Sequence, residues 1–377
     1  MKVSIVKCNS YNEDAVYKAV KKSIDLIGGI KIKPGSKVLL KPNVLSARKP
    51  EAAITTHPSI VAAVCRILKP MKVKVMIGDS SGMGRYGYTT NALEASGMKN
   101  VAERFNAELI SFEGLSKKVK IKGARILKKA NIAKPVLDAD YILNLPKLKT
   151  HTLMRYTGAV KNMFGCIPGG GKSHCHVTAP KEEQFGDLLL DLYSRVTPHL
   201  NIIDGVVGIE GNGPGSAGIR KKTNLIGASK DAVALDIVVS EIIGFDPMEI
   251  KTNKLARERG IFKDKVDVVG EKNIKVKYKQ PLKIKVPAFI ERFMFRQAML
   301  RPHIMRDRCK ACGICIKACP AKTIKLVKGK ARIFDKNCIR CYCCHELCPY
   351  NAIELKRPLM RILIDIGKAV LQRLRKL

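Results

Sequence analysis

From the N-terminus, short apolar runs alternate with segments whose apolar positions recur at helical spacing. The run "KVSIV" precedes a helical pattern over residues 12 to 27, "KVLLKPN" precedes one over 58 to 68, and "KVKVMIGD" precedes one over 91 to 104. Strands that alternate with helices imply crossover connections, and so a mostly parallel sheet with helices on both faces. "DYILNLP", "NIIDGVVGI" and "VDVVG" continue the strands, while residues 182 to 195 and 231 to 243 add helices. This predicts an α/β domain over residues 1–277.

The pattern then changes. Residues 278–306 carry three prolines and a basic excess, and read as a docking linker. Residues 307–356 form a cysteine-rich module. Residues 357–377 place Leu359, Leu363, Ile366, Val370, Leu374 and Leu377 on one face of a helix, with Arg361, Lys368 and Arg375 opposite. Such a basic amphipathic helix suits packing on its own protein, a partner, or peripheral contact with an anionic membrane.

Charge narrows the partners. Seventy Lys and Arg against 32 Asp and Glu give a formal charge of +38, which attracts nucleic acid, anionic lipid or acidic proteins. Aromatics make up only 5% and Trp is absent, so platforms for base stacking are scarce and nucleic acid is not the expected partner. The start, "MKVSIVKCNS", lacks a leader-like apolar stretch, and no later run approaches the roughly 18 uncharged residues of a membrane span. Nine of the thirteen cysteines fall within residues 309–348 at metal-ligand rather than disulfide spacing. A soluble protein of the reducing cytoplasm is expected.

The cysteines come as two copies of C-x2-C-x2-C-x3-C-P, the first at Cys309, Cys312, Cys315 and Cys319, the second at Cys338, Cys341, Cys344 and Cys348. Thiolates at this spacing suit soft metals, and two full copies ending in proline are more specific than the paired CxxC of a zinc ribbon. "CPAKTIKL" also matches "CPYNAIEL", which makes Ile324 and Ile353 equivalent core positions. The module resembles a bacterial-type ferredoxin, an α+β domain with two 4Fe-4S clusters. In such ferredoxins the fourth cysteine of each run ligates the other cluster. That resemblance implies Cys309, Cys312, Cys315 and Cys348 for one cluster, and Cys338, Cys341, Cys344 and Cys319 for the second. Cys343 is left over as a structural thiol.

In the α/β part, polar residues stand at the ends of apolar strands, where open sheets bind ligands. "LLKPNV" presents Lys41 and Asn43, and "TTHPSIV" presents His57. "MIGDSSG" presents Asp79, "LPKLKTHTL" presents Lys147, Lys149 and His151, and "TGAVKNMFG" presents Lys161 and Asn162. "IIDGVVGIEG" adds Asp204 and Glu210. Together they suit an anion site, with lysines and His57 to anchor a carboxylate or phosphate and carboxylates to manage protons. "GGGKS" at 169–173 is not a P-loop, because the first required glycine falls on Cys166. "HCH" at 174–176 offers metal donors with Cys166, but a polar loop beside Gly169 and Gly171 is the expected reading.

The strings "KPN", "THP", "GDSSG", "LPKLKTH", "GAVKNMFGCIPG" and "DGVVGIEGNGP", followed by the ferredoxin-like module, resemble the DUF362 family of iron-sulfur proteins. The family carries no assigned activity. It implies an α/β domain working with 4Fe-4S clusters in anaerobic redox chemistry. A shorter string near Lys161 is similar to the lactate racemase family, which lacks the ferredoxin module. Two functions follow from the sequence. One is an oxidoreductase whose clusters relay low-potential electrons to or from a small anionic ligand or cofactor. The other is a non-catalytic electron carrier or assembly factor that docks a redox protein partner.

Overall fold

Residues 1–277 fold as the alternating pattern requires, around a ten-stranded sheet with the order β12-β1-β11-β10-β7-β2-β3-β4 and β8 and β9 attached through β10. The strands are β1 (Lys2–Lys7), β2 (Lys37–Pro42), β3 (Lys74–Asp79), β4 (Glu108–Ser111), β5 (Ser116–Lys120), β6 (Lys129–Ala133), β7 (Tyr141–Leu145), β8 (Lys147–His151), β9 (Arg155–Thr157), β10 (Leu200–Gly211), β11 (Gly218–Ser229) and β12 (Asp267–Gly270). β5 and β6 form a separate antiparallel hairpin. The sheet is mostly parallel, with β11 antiparallel to both β1 and β10 and β9 antiparallel to β8.

The computed structural model describes residues 1–81, 88–114, 116–169, 171–215, 218–263, 265–281, 301–319, 321–335 and 352–356, together with Cys338, Cys344, Cys348 and Tyr350. They fall in two units, Met1–Leu282 and Lys283–Leu377. The boundary lies a few residues beyond the expected 277. Tyr278 is buried in the first unit, Lys279 pairs its backbone with Gly211, and Gln280 accepts from Arg155. Most of the expected linker and the whole tail, 357–377, lie outside the described residues.

The helices are α1 (Glu13–Leu26), α2 (Pro58–Leu68), α3 (Tyr88–Ala95), α4 (Met98–Arg104), α5 (Lys134–Asp138), α6 (Ala159–Asn162), α7 (Gly171–Thr178), α8 (Glu182–Arg195), α9 (Ala232–Ile242) and α10 (Lys251–Glu258). Strand residues alternate between two apolar cores, Leu39 and Ile142 joining α8 and α9 on one face, Val38, Leu40 and Leu143 joining α1, α2 and α4 on the other. Burial on both faces explains why the strands read as continuous apolar runs. The single helix predicted over 91 to 104 is two, broken at Gly97, whose φ of 79° belongs to the left-handed region. The polar loop expected for "HCH" at 174–176 is instead part of helix α7.

From β2 the chain moves outward to β3 and β4, then returns on the opposite side of β2 as β7. The C-terminal ends of β2, β3 and β7 therefore flank a topological switch point, where open sheets leave a crevice.

In the second unit β13 (Arg301–Ile304) pairs with β16 (Ile353–Lys356), and β14 (Ile324–Val327) pairs with β15 (Lys330–Ile333), all antiparallel. Ile324 and Ile353 open the equivalent strands of the two repeats, and both enter one small core with Ile304, Cys309, Cys315 and Cys344.

Candidate functional site

Two buried ion pairs occupy the switch point. Lys41, fully buried at the end of β2, lies 2.8 Å from the Asp79 carboxylate at the end of β3, and the other Asp79 oxygen accepts from Val44 N–H at 2.7 Å. Gly165 passes so close that a Cβ there would collide with both Asp79 Oδ1 and Lys41 Nζ, which accounts for the glycine of "NMFGC". Lys147 on β8 lies 2.8 Å from Asp204 on β10 and donates to Tyr11 Oη at 2.7 Å. Tyr11 donates on to Asp204 at 2.9 Å, and His57 N–H donates to the same carboxylate at 2.9 Å. The His57 ring stacks on Tyr11 with centroids 3.7 Å apart. Its Nδ1 accepts Ser59 N–H as the cap of α2, and burial pulls its pKa down to about 4. His57 is thus neutral, and the ammonium groups of Lys41 and Lys147 are already matched by carboxylates. None of the three is free to anchor an anion as the sequence suggested.

Between these pairs runs a directed chain of amides. Lys149 Nζ donates to Asn43 Oδ1 and to Ile54 O at 2.8 Å. Asn43 donates to Asn162 at 2.9 Å, Asn162 to Asn144 at 2.8 Å, Asn144 to Asn201 at 2.8 Å, and Asn201 to Ser229 O at 3.2 Å. The register explains it: Lys41, Asn144, Asn201 and Ser229 are direct partners across β2, β7, β10 and β11. Every member is satisfied, and a fully satisfied buried network is rigid. Asn144, Asn201 and Tyr11 were not singled out from sequence. A polar residue inside an apolar strand, as in "YILNL", was the available signal.

Lys161 differs from its neighbours. It sits on α6, whose first two N–H groups, Ala159 and Val160, donate to buried Asp236 at 2.6 and 3.0 Å. Among the described residues its ammonium has no hydrogen-bond or ion-pair partner, while its side chain keeps partial access to solvent. Burial, reinforced by the charge of Lys172, draws its pKa down to about 8. Around it stand Lys149, His151 and His176. His151 Nδ1 accepts N–H from Leu153 and Met154, both at 3.1 Å, so the ring is neutral with its proton on Nε2, and burial holds its pKa well below normal. His176 stacks on Phe185 at 4.4 Å. Lys172, the lysine of "GGGKS", is buried and donates to Ser80 O, Ser80 Oγ and Ser81 O, a structural role. The result is a cluster of lysines in which, among the described residues, Lys161 alone lacks a hydrogen-bond partner.

Glu210 lies outside this group: its carboxylate accepts Lys279 N–H at 3.0 Å and fastens the 278–281 segment.

In the second unit Cys309, Cys312, Cys315 and Cys348 line one cavity, closed by Ile304, Ile314, Ala331 and Ile353. Burial pushes the Cys315 thiol up, with the Cys309, Cys312 and Cys348 thiols adding to the shift. Three cysteines of the first run and the last cysteine of the second therefore share one hollow, a donor set that fits a 4Fe-4S cubane. Of the other set, Cys319, Cys338 and Cys344 are described, and Cys341 and Cys343 lie outside the described residues. Cys319 Sγ accepts Thr323 N–H at 3.3 Å and Cys348 Sγ accepts Ala352 N–H at 3.3 Å, the same contact in both repeats. Among the described residues no group of three or more His, Cys, Asp or Glu side chains is placed for a single ion, Cys166 and the α7 histidines included. Thiolates around a cubane stand farther apart than those on one ion. When bound, each cluster supplies a one-electron couple.

These features define an iron-sulfur electron-transfer protein with an α/β domain of mostly parallel sheet. Residues 38–241 match the profile of a domain of unknown function, DUF362, and residues 301–349 that of a 4Fe-4S dicluster domain. The chain belongs to the DUF362 family and carries a dicluster domain for two 4Fe-4S clusters. It is 34% identical over 260 residues to a thylakoid-associated protein of Synechocystis sp., covering 68% of this chain and 78% of that one. Among solved structures it is similar to the lactate racemase apoprotein of Thermoanaerobacterium thermosaccharolyticum, at 14% identity and a TM-score of 0.41, over 61% of this chain and 54% of that one. The chain thus spans about half of that structure, at a level where neither fold nor chemistry transfers. No helix among the described residues is long and apolar enough to cross a membrane.

Proposed function

We propose that the two clusters exchange single electrons with a small anionic ligand or cofactor held at Lys161 in the α/β domain. The observation that carries this reading is the unpartnered ammonium of Lys161 among the described residues, flanked by Lys149, Lys172 and the neutral ring of His151. Leaving a cation in such surroundings is unfavourable unless an anion completes them. A carboxylate or phosphate would accept from Lys161 and from the Nε2–H of His151. The rigid amide row and the Asp236 clasp on α6 would keep Lys161 in place. Asp79 and Asp204, each in a buried ion pair, position Lys41 and Lys147 rather than meeting the ligand. Fusion of both parts in one chain keeps donor and acceptor at high effective concentration. Mass spectrometry of anaerobically prepared protein tests the reading. A stoichiometric anionic small molecule is expected with the native chain and not with Lys161→Met, and equal recovery from both would refute it.

A second reading is favoured by the name of the Synechocystis relative: an electron carrier that works peripherally at a membrane surface. The +38 formal charge supports it, since anionic lipid attracts such a protein. Sedimentation with anionic vesicles at low salt is its test, and a protein that stays in the supernatant would rule it out.

A further inference from the structure

The β5–β6 hairpin packs one side on the apolar core and carries a lysine-rich surface on the other. Residues 116–134 hold seven lysines and one arginine and not one Asp or Glu. Val119, Ile121, Ala130 and Ile132 turn inward to the apolar core, which forces the alternate positions outward. Lys118, Lys120, Lys122 and Lys129 take those outward positions, Lys117 and Lys128 share the register of Ile132 and Ile121, and all six are exposed with no ion pair among the described residues. Lys120 stands directly opposite Lys129, and Lys118 opposite Asn131. Like charges facing one another across a ladder destabilise it, so an external anion has something to relieve.

This face is held at a fixed angle. Buried Asp191 on α8 accepts N–H from Arg125 at 3.1 Å and from Ile126 and Leu127 at 2.8 Å, and Arg259 holds the same carboxylate at 2.6 Å. Four donors on one carboxylate make the turn between β5 and β6 a clasped one.

We propose that this hairpin is the face that seats the protein on an anionic lipid bilayer, an inference that rests on the membrane reading above. The face is an exposed sheet surface, its charges are almost all lysines, and residues 116–134 contain no aromatic side chain for bases to stack on. Lysines act as point charges that suit the diffuse potential of lipid phosphates.

The test is co-sedimentation of the full-length, cluster-loaded protein with phosphatidylcholine vesicles with or without phosphatidylglycerol, at low and raised salt. Four proteins are compared: the native chain, Lys118→Glu/Lys120→Glu/Lys129→Glu, the equally charged control Lys18→Glu/Lys22→Glu/Lys33→Glu, and a chain lacking residues 357–377. All six substituted lysines are exposed, and matching thermal unfolding checks that each variant folds. Native binding should require phosphatidylglycerol and fall with salt. The hairpin variant should lose at least about tenfold in partitioning while the control stays within about twofold. Native protein that ignores anionic vesicles sinks the membrane reading and the hairpin with it. Normal binding by the hairpin variant, with loss on removing 357–377, leaves the membrane reading and overturns the hairpin. Equal losses in hairpin variant and control overturn it too, since net charge alone would then explain binding. So would a shift of duplex DNA abolished by the hairpin variant together with unaltered vesicle binding.

Discussion

Lys161 carries the only ammonium of this buried group that no described acceptor satisfies, and its pKa of about 8 gives the site a pH signature. Bound anion needs the protonated amine. Affinity should therefore be level below about pH 7 and fall about tenfold per unit as pH rises past 8. His57, drawn down to about 4, stays neutral throughout and adds no break between pH 5 and 8. Calorimetric titration of the copurifying ligand from pH 6 to 10 checks this, and a pH-independent affinity would speak against Lys161. The two cluster sites also differ at one residue. Cys319 faces the Thr323 hydroxyl at 3.4 Å in addition to its N–H contact, whereas its counterpart Cys348 faces Ala352, which has no hydroxyl. A donor to a ligating sulfur stabilises the more negative, reduced cluster and raises its potential. Thr323→Val should lower one midpoint in an EPR-monitored redox titration and leave the other, with Thr323→Ser restoring it. Of these features, the lysine and the cysteines were legible as residue types in the sequence. Which lysines are neutralised was not, because Asp79 and Asp204 lie 38 and 57 residues from Lys41 and Lys147 in the chain.

At the scale of elements, α6 shows how a four-residue helix is held. Gly158 precedes it because a Cβ there would collide with Asp236, and that carboxylate takes the N–H of Ala159 and Val160 and the Tyr156 hydroxyl at 3.2 Å. Asp236→Ala leaves two buried N–H groups and a hydroxyl unpaired, and should cost about 3 kcal/mol in denaturant unfolding. Ligand affinity should fall with it, because α6 carries Lys161 and Asn162. Unchanged stability would show that the clasp is incidental. The long strands and helices were readable because tertiary packing agreed with local periodicity, down to the 182–195 boundaries of α8. The β5–β6 hairpin was not, since its lysines mask the alternation of Val119, Ile121, Ala130 and Ile132. Helix α7 reads as a loop because of its glycine-rich start, while its fold depends on Cys175 reaching the core and Lys172 reaching Ser80.

For the whole molecule, the interlocked halves of the dicluster unit make a firm expectation. With Cys348 in the cavity of Cys309, Cys312 and Cys315, Cys348→Ala should first damage the cluster of the earlier run, distant in sequence. Iron analysis should then fall well below the roughly eight atoms of two cubanes, whereas Cys343→Ala should leave the count unchanged. Full iron in the Cys348→Ala protein would contradict the assignment. The crossing was legible through the resemblance to bacterial-type ferredoxins, in which the fourth cysteine of each run ligates the other cluster.

Electron exchange between the clusters and an anion at Lys161 underlies the proposed function. Its most direct test is the reoxidation of reduced clusters, followed by their visible absorbance under anaerobic conditions, when the copurifying anion is added back in its oxidised form. The native protein should reoxidise as ligand is added, and Lys161→Met should stay reduced while still reacting with a general chemical oxidant. Equal reoxidation of both proteins, or of neither, would rule out electron exchange at Lys161.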